Sequence, residues 1–75
     1  MQVTVRYFAV LREKRGVSSE TIAVPDGASA RSIYLGLFPG LGLPVAFAVN
    51  QAAVGGDTPL ADGDELALLP PLGGG

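Results

Sequence analysis

The chain has no cysteine and no histidine. It cannot be stapled by disulfides, and most zinc sites, cysteine nucleophiles and histidine bases are excluded at the same stroke. Its 75 residues make a single small domain, and a chain of that size buries only a modest core. Such a domain must hold itself by apolar packing, for which a hydrophobic content of 48% is adequate. The apolar positions therefore have to fall on faces that can meet.

They do so in a readable order. Residues 2–8 alternate, with Val3, Val5 and Tyr7 on one face and Thr4, Arg6 and Phe8 on the other, which predicts a strand with one buried face. Phe8 falls on the polar side as an exposed aromatic. Residues 9–15 favour helix, Lys14 and Arg15 suit a helix C-terminus, and Gly16 suits the position after it, so a short helix or single turn is expected. Residues 21–24 predict a second strand, closed by the turn Pro25-Asp26-Gly27. Ser29 is a good N-cap for a helix whose apolar face is Ala30, Ile33, Tyr34, Leu37 and Phe38, and which Pro39-Gly40 ends. Residues 45–49 form a nearly continuous apolar run, expected as a central strand. Asn50-Gln51 turns into a short strand over 52–54, and Leu60 tucks in as an anchor of the next loop. Asp62-Gly63-Asp64 leads into a last strand, 65–69, with Leu66 and Leu68 buried and Leu69 on the outer face. Strands with one main helix on one face of a mixed sheet make an α+β domain, and the order fits a β-grasp in which the first and last strands pair centrally. The domain spans residues 1–69, and residues 70–75 form a flexible tail.

Charge is divided along the chain. The basic residues Arg6, Arg12, Lys14, Arg15 and Arg31 all lie in the first 31 positions, and the only charges after them are Asp57, Asp62, Asp64 and Glu65. These acids read as turn residues, or as a negative collar near the tail that would meet a basic partner. The net charge of −2 argues against nucleic acid as that partner. The acids lack a basic or nucleophilic companion nearby in sequence, so no paired-acid mechanism is expected. The Gly55-Gly56 stretch lacks the lysine and helix of a phosphate loop after it. No metal site and no cofactor-binding site is expected. The start of the chain lacks a basic region leading into an apolar run, and no stretch is long enough to span a membrane, so a soluble cytoplasmic protein is expected.

The chemistry is expected at the end instead. Pro70-Pro71 cannot continue a ladder of backbone hydrogen bonds, and Leu72-Gly73-Gly74-Gly75 narrows the chain almost to bare backbone. Six extended residues reach roughly 20 Å, into a channel too narrow for any larger side chain. The Gly75 carboxylate is a poor electrophile until ATP converts it to an acyl-adenylate, after which it can acylate an amine or take up sulfur.

The segments Val5-Arg6-Tyr7-Phe8-Ala9-Val10-Leu11-Arg12-Glu13, Ala48-Val49-Asn50-Gln51 and 57–71, with the terminal Gly74-Gly75, resemble the sulfur-carrier subunit of molybdopterin synthase, the MoaD family. The likeness covers essentially the whole chain. It implies a ubiquitin-like β-grasp that is not an enzyme on its own. An activating enzyme of the MoeB type would adenylate Gly75 with ATP, a sulfur-donating enzyme would supply sulfur for a thiocarboxylate, and residues 70–75 would enter the large catalytic subunit (MoaE type). Sulfur would then pass to cyclic pyranopterin monophosphate within a heterotetramer. In the family the two positions before the final glycines are variable; here they are Leu72 and Gly73, and the tail keeps its length.

The resemblance also implies a partner interface. Phe8 and Leu69 point away from the expected core, Leu60 lies near, and adjacent first and last strands would gather them into one apolar patch. Two alternatives remain open: sulfur delivery to thiazole or another product, and a ubiquitin-like modifier joined to other proteins through Gly75.

Overall fold

The computed structural model describes residues 1–71. Strict alternation makes the first strand, β1 (Gln2–Tyr7), whose Val3, Val5 and Tyr7 are buried. A seven-residue helix, α1 (Ala9–Arg15), comes next and ends on Gly16 in the left-handed conformation (φ 77°), where a side chain would be strained. Ala9 itself turns the chain at φ 49°, a conformation that disfavours any side chain, and so swings α1 away from the line of β1. β2 (Ser19–Ala23) returns antiparallel to β1, with Val3 opposite Ile22 and Val5 opposite Glu20. It begins two residues earlier than the sequence suggests, because pairing with Arg6 draws Ser19 into the ladder. α2 (Ala30–Leu37) starts at Ser29, whose hydroxyl accepts from the Ser32 N–H while the Ser32 hydroxyl accepts from the Ser29 N–H.

The remaining strands are β3 (Ala46–Val49), β4 (Ala52–Val54) and β5 (Glu65–Leu69). β3 and β4 are joined by Asn50 and Gln51, both at positive φ (50° and 71°), as a two-residue hairpin with right-handed strand twist requires. The sheet order is β2-β1-β5-β3-β4. β1 and β5 are parallel, and β3 runs antiparallel to both β5 and β4. This is a mixed, β-grasp sheet with the first and last strands side by side. Its centre is β5, as a central pairing of the first and last strands requires, and β3 is an internal strand between β5 and β4. The apolar run of β3 is not covered on both faces, since Ala46 is exposed and Ala48 half-buried.

One face of the sheet carries the core. Val3, Val5, Tyr7, Phe47, Leu66 and Leu68 meet Ala30, Ile33, Tyr34 and Phe38 across the interface with α2. Tyr7 and Phe38 stack edge to face with centroids 5.8 Å apart, and Tyr34 meets Phe47 the same way at 6.2 Å. Leu60 belongs to this core, with 5% of its surface exposed, and its N–H donates to the Ala28 carbonyl at 2.9 Å. Its expected role as a loop anchor is realised. Its expected place in the partner patch is not, because its side chain is enclosed.

Candidate functional site

β5 places its residues by alternation. Leu66 and Leu68 are fully buried, so Leu69, one residue on, must turn outward, where it is 37% exposed and lies opposite Ala46 of β3. Pro70 and Pro71 then end the ladder, having no N–H to donate. These three residues form one bank of a shallow apolar groove. The other bank comes from Phe8 and Ala9 at the junction of β1 and α1, and from Pro44, Val45 and Ala46 entering β3. The parallel pairing of β1 with β5 brings Phe8 beside the end of β5. Phe8 is half-buried, and the Arg6 guanidinium lies 5.4 Å above the centre of its ring. Phe8 and Leu69 therefore come together as the alternation implied. Pro44, Val45, Ala46 and Ala9 join them although their sequence context did not mark them. Their place depends on the pairing of β3 with β5, which no local signal in the sequence gives. Leu72, Gly73, Gly74 and Gly75 lie outside the described residues.

A polar cluster fixes the bank that α1 supplies. Glu20 Oε2 accepts from the Tyr7 hydroxyl at 2.8 Å and from Arg15 Nε at 2.8 Å, and the Arg15 guanidinium lies 5.8 Å above the Tyr7 ring. These contacts tie the end of α1 to β1 and β2. The Tyr7 hydroxyl and the Arg15 guanidinium hold the Glu20 carboxyl below its ordinary range. Burial, and after it the hydrogen bond to Glu20, pushes the Tyr7 phenol well above its ordinary value.

The acidic residues are placed elsewhere. Asp62 accepts from the Gln2 N–H at 2.7 Å, and Asp64 accepts from the Ala61 N–H at 2.8 Å and from Asn50 Nδ2 at 3.0 Å. Asp57 pairs with Arg31, and Glu65 lies 3.8 Å from Arg6. Of the two readings of these acids, turn residues and a collar near the tail, the first holds for Asp62 and Asp64, and the second places them at the wrong end of the strand. Asp62, Asp64 and Glu65 gather where β5 begins, roughly 13 Å from where it ends, and the oxygens of Asp62 and Asp64 serve the turn before it. Asp64 is held below the ordinary carboxylate range, first by the Ala61 N–H and then by Asn50. Among the described residues no group of acids is arranged to hold a metal ion, and no helix is long and apolar enough to cross a membrane.

With the groove and the strand exit in place, the relatives can be compared. Residues 5–75 match the ThiS family. The molybdopterin synthase sulfur carrier subunit of Chlamydomonas reinhardtii is 39% identical over 100% of both chains. Among solved structures, a complex of subunits 1 and 2 of molybdopterin-converting factor from Helicobacter pylori 26695 is 32% identical, with a TM-score of 0.62 over 100% of both chains. The small archaeal modifier protein 1 of H. volcanii is 25% identical, with a TM-score of 0.79 over 95% of this chain and 98% of that one. The fold, the groove beside the strand exit and a match that runs through Gly75 agree: the chain belongs to the ThiS family of ubiquitin-like β-grasp proteins, together with the sulfur carrier subunits of molybdopterin synthase.

Proposed function

We propose that this chain is the sulfur carrier of a molybdopterin synthase and that its reactive group is the carboxylate of Gly75. The observation that carries the proposal is the exposed Leu69 at the end of β5, flanked by Pro70 and Pro71 and facing the apolar groove of Phe8 and Pro44 to Ala46. A carrier needs a rigid launching point with a docking surface beside it. The groove supplies both, and residues 72–75 continue from it.

The steps are those of acyl chemistry. On an activating enzyme, a Gly75 carboxylate oxygen attacks the α-phosphorus of ATP, and pyrophosphate leaves. Hydrosulfide released by a sulfur-donating enzyme then attacks the acyl carbon, AMP leaves with the electron pair of the broken C–O bond, and loss of the S–H proton leaves the thiocarboxylate. The resulting thiocarboxylate enters a larger catalytic subunit, which supplies the active-site groups for transfer to cyclic pyranopterin monophosphate. The complex described for the Helicobacter pylori relative supports a second subunit as this partner. The body of the chain acts as handle and docking surface.

Intact-mass measurement of the protein from its native host tests the reading. Exchange of one terminal oxygen for sulfur is the expected result. A terminus that stays a carboxylate when the activating enzyme, ATP and a sulfur source are all supplied would reject it. The likeness to the H. volcanii modifier supports a second reading, conjugation of Gly75 to lysines of other proteins. High-mass conjugates that disappear when Gly75 is deleted would favour that one.

A further inference from the structure

The two edges of the sheet differ. β4 has three residues, whereas β2 has five, Ser19–Ala23. The hydrogen bonds of β2 show which way its backbone points. The Val24 N–H donates to the Met1 carbonyl at 2.8 Å, the Met1 nitrogen donates to the Val24 carbonyl at 2.9 Å, and the Tyr7 N–H donates to the Ser18 carbonyl at 2.8 Å. The register between these pairs is unbroken, so residues 18, 20, 22 and 24 turn their backbone groups toward β1. Ser19, Thr21 and Ala23 therefore present their N–H and C=O groups outward, with no strand among the described residues to receive them. The edge also lacks the usual guards against another strand. It has no proline, no lysine and no bulge, and its one charge, Glu20, is held by Tyr7 and Arg15.

An apolar cleft runs beside this edge. Ile22, Val24 and Ala28 form one wall and Ser32, Gly36 and Leu37 the other, around a volume of about 540 Å³. Ser32 and Gly36 lie four residues apart on one face of α2, and both are small. A Cβ at Gly36 would meet nothing within 4 Å, so the cleft stands open where a side chain could have closed it. In a strand laid against β2, every second side chain falls on the Ile22 face, over the cleft. At the rim is the Asp26 carboxylate, 93% exposed. Its Oδ1 accepts from the Met1 nitrogen, while its Oδ2 accepts no hydrogen bond from the described residues. Among the described residues no basic one lines the cleft.

We propose that the β2 edge and this cleft together bind an extended segment of another protein. The segment adds a sixth strand to the sheet, sets aliphatic side chains at alternate positions into the cleft, and brings a basic residue to Asp26. Backbone pairing with Ser19, Thr21 and Ala23 supplies the alignment, and the cleft selects the side chains. A second copy of this chain fits poorly. Two β2 strands paired antiparallel over their full length set Ile22 opposite Glu20 of the other copy, which places a carboxylate against an apolar cleft. The cleft shares no lining residue with the groove at the end of β5, so the inference does not rest on the sulfur-carrier reading.

The probe is a heptapeptide with blocked ends, Lys-Val-Ser-Val-Ser-Val-Lys, added to the nitrogen-15-labelled full chain. Amide exchange at Ser19, Thr21 and Ala23 is expected to slow at least tenfold at saturating peptide, while exchange at Leu69 stays the same. Gly36→Leu fills the cleft, and Thr21→Pro removes one outward N–H from an edge strand that tolerates the loss. Each is expected to weaken binding at least tenfold. Two control peptides leave the protein unaltered: one loses the alternation (Lys-Val-Val-Val-Ser-Ser-Lys), and one carries Glu in place of both Lys. Both are expected to bind at least threefold more weakly. No slowing at millimolar peptide, slowing at Ala52–Val54 or Leu69 instead, or equal binding of either control overturns the proposal. Protection that grows with protein concentration in the absence of peptide assigns the edge to a second copy and overturns it as well.

Discussion

The two ends of β5 are built from opposite chemistry. Where the strand begins, polar groups bolt it down. The Glu65 N–H donates to Asn50 Oδ1 at 3.0 Å, the Asn50 N–H donates to the Glu65 carbonyl at 2.9 Å, and Asp64 ties Asn50 to Ala61. Where the strand ends there are Leu69, two prolines and an apolar groove. The contrast shows how one strand can be anchored at one end and left at the surface at the other. The first end and the buried Leu66 and Leu68 fix the register, while Leu69 and the two prolines stay at the groove on the surface.

The comparison can be broken most forcefully at its shared core. Leu68→Ala removes a fully buried side chain paired with Phe47 and Tyr7, and should cost about 2–5 kcal/mol in denaturant unfolding. A smaller cost would mean that β5 is not the centre of the core. Leu69→Asp should do the reverse. Affinity for the larger synthase subunit, read by calorimetry, should fall at least tenfold, or about 1.4 kcal/mol, while stability shifts by about 0.5 kcal/mol or less. Unchanged affinity would remove the groove from the docking surface.

At the polar end, Asn50→Ala deletes two side-chain hydrogen bonds and puts alanine at φ 50°, and should lower stability by about 1–2 kcal/mol without altering partner affinity. The smallest effect is on acid stability. Asp64 and Glu20 have carboxyls held below their ordinary values, so their contributions are full above the unfolded-state value and are lost as pH falls through the folded-state value. Acid unfolding should thus steepen below the ordinary carboxylate range. Asp64→Asn should flatten that limb and leave the region near neutrality almost unchanged, which unfolding curves across pH would reveal.

How far these regions are legible in the sequence depends on what fixes each residue. Val3, Val5 and Tyr7, or Leu66 and Leu68, declare their burial by alternation, which is a property of the strand itself. Ser29 and Gly16 declare the helix ends because caps are local. Ala46 and Pro44 declare nothing, since their role depends on pairing with a strand about twenty residues away. The acids at 62 and 64 were legible as turn residues, and only the collar near the tail failed, for the same reason. Nearness in sequence to the tail became distance once an extended strand lay between them.

The sequence by itself determined the periodicities, the caps and the outward turn of Leu69, because each depends on side-chain type and local geometry. Only the tertiary structure decided that Leu60 is enclosed and that the β1–α1 junction and the approach to β3 form a groove with the end of β5. Those depend on which strands pair. Pairing is settled by how all the apolar faces close over α2 together, and no segment of the chain carries that information alone.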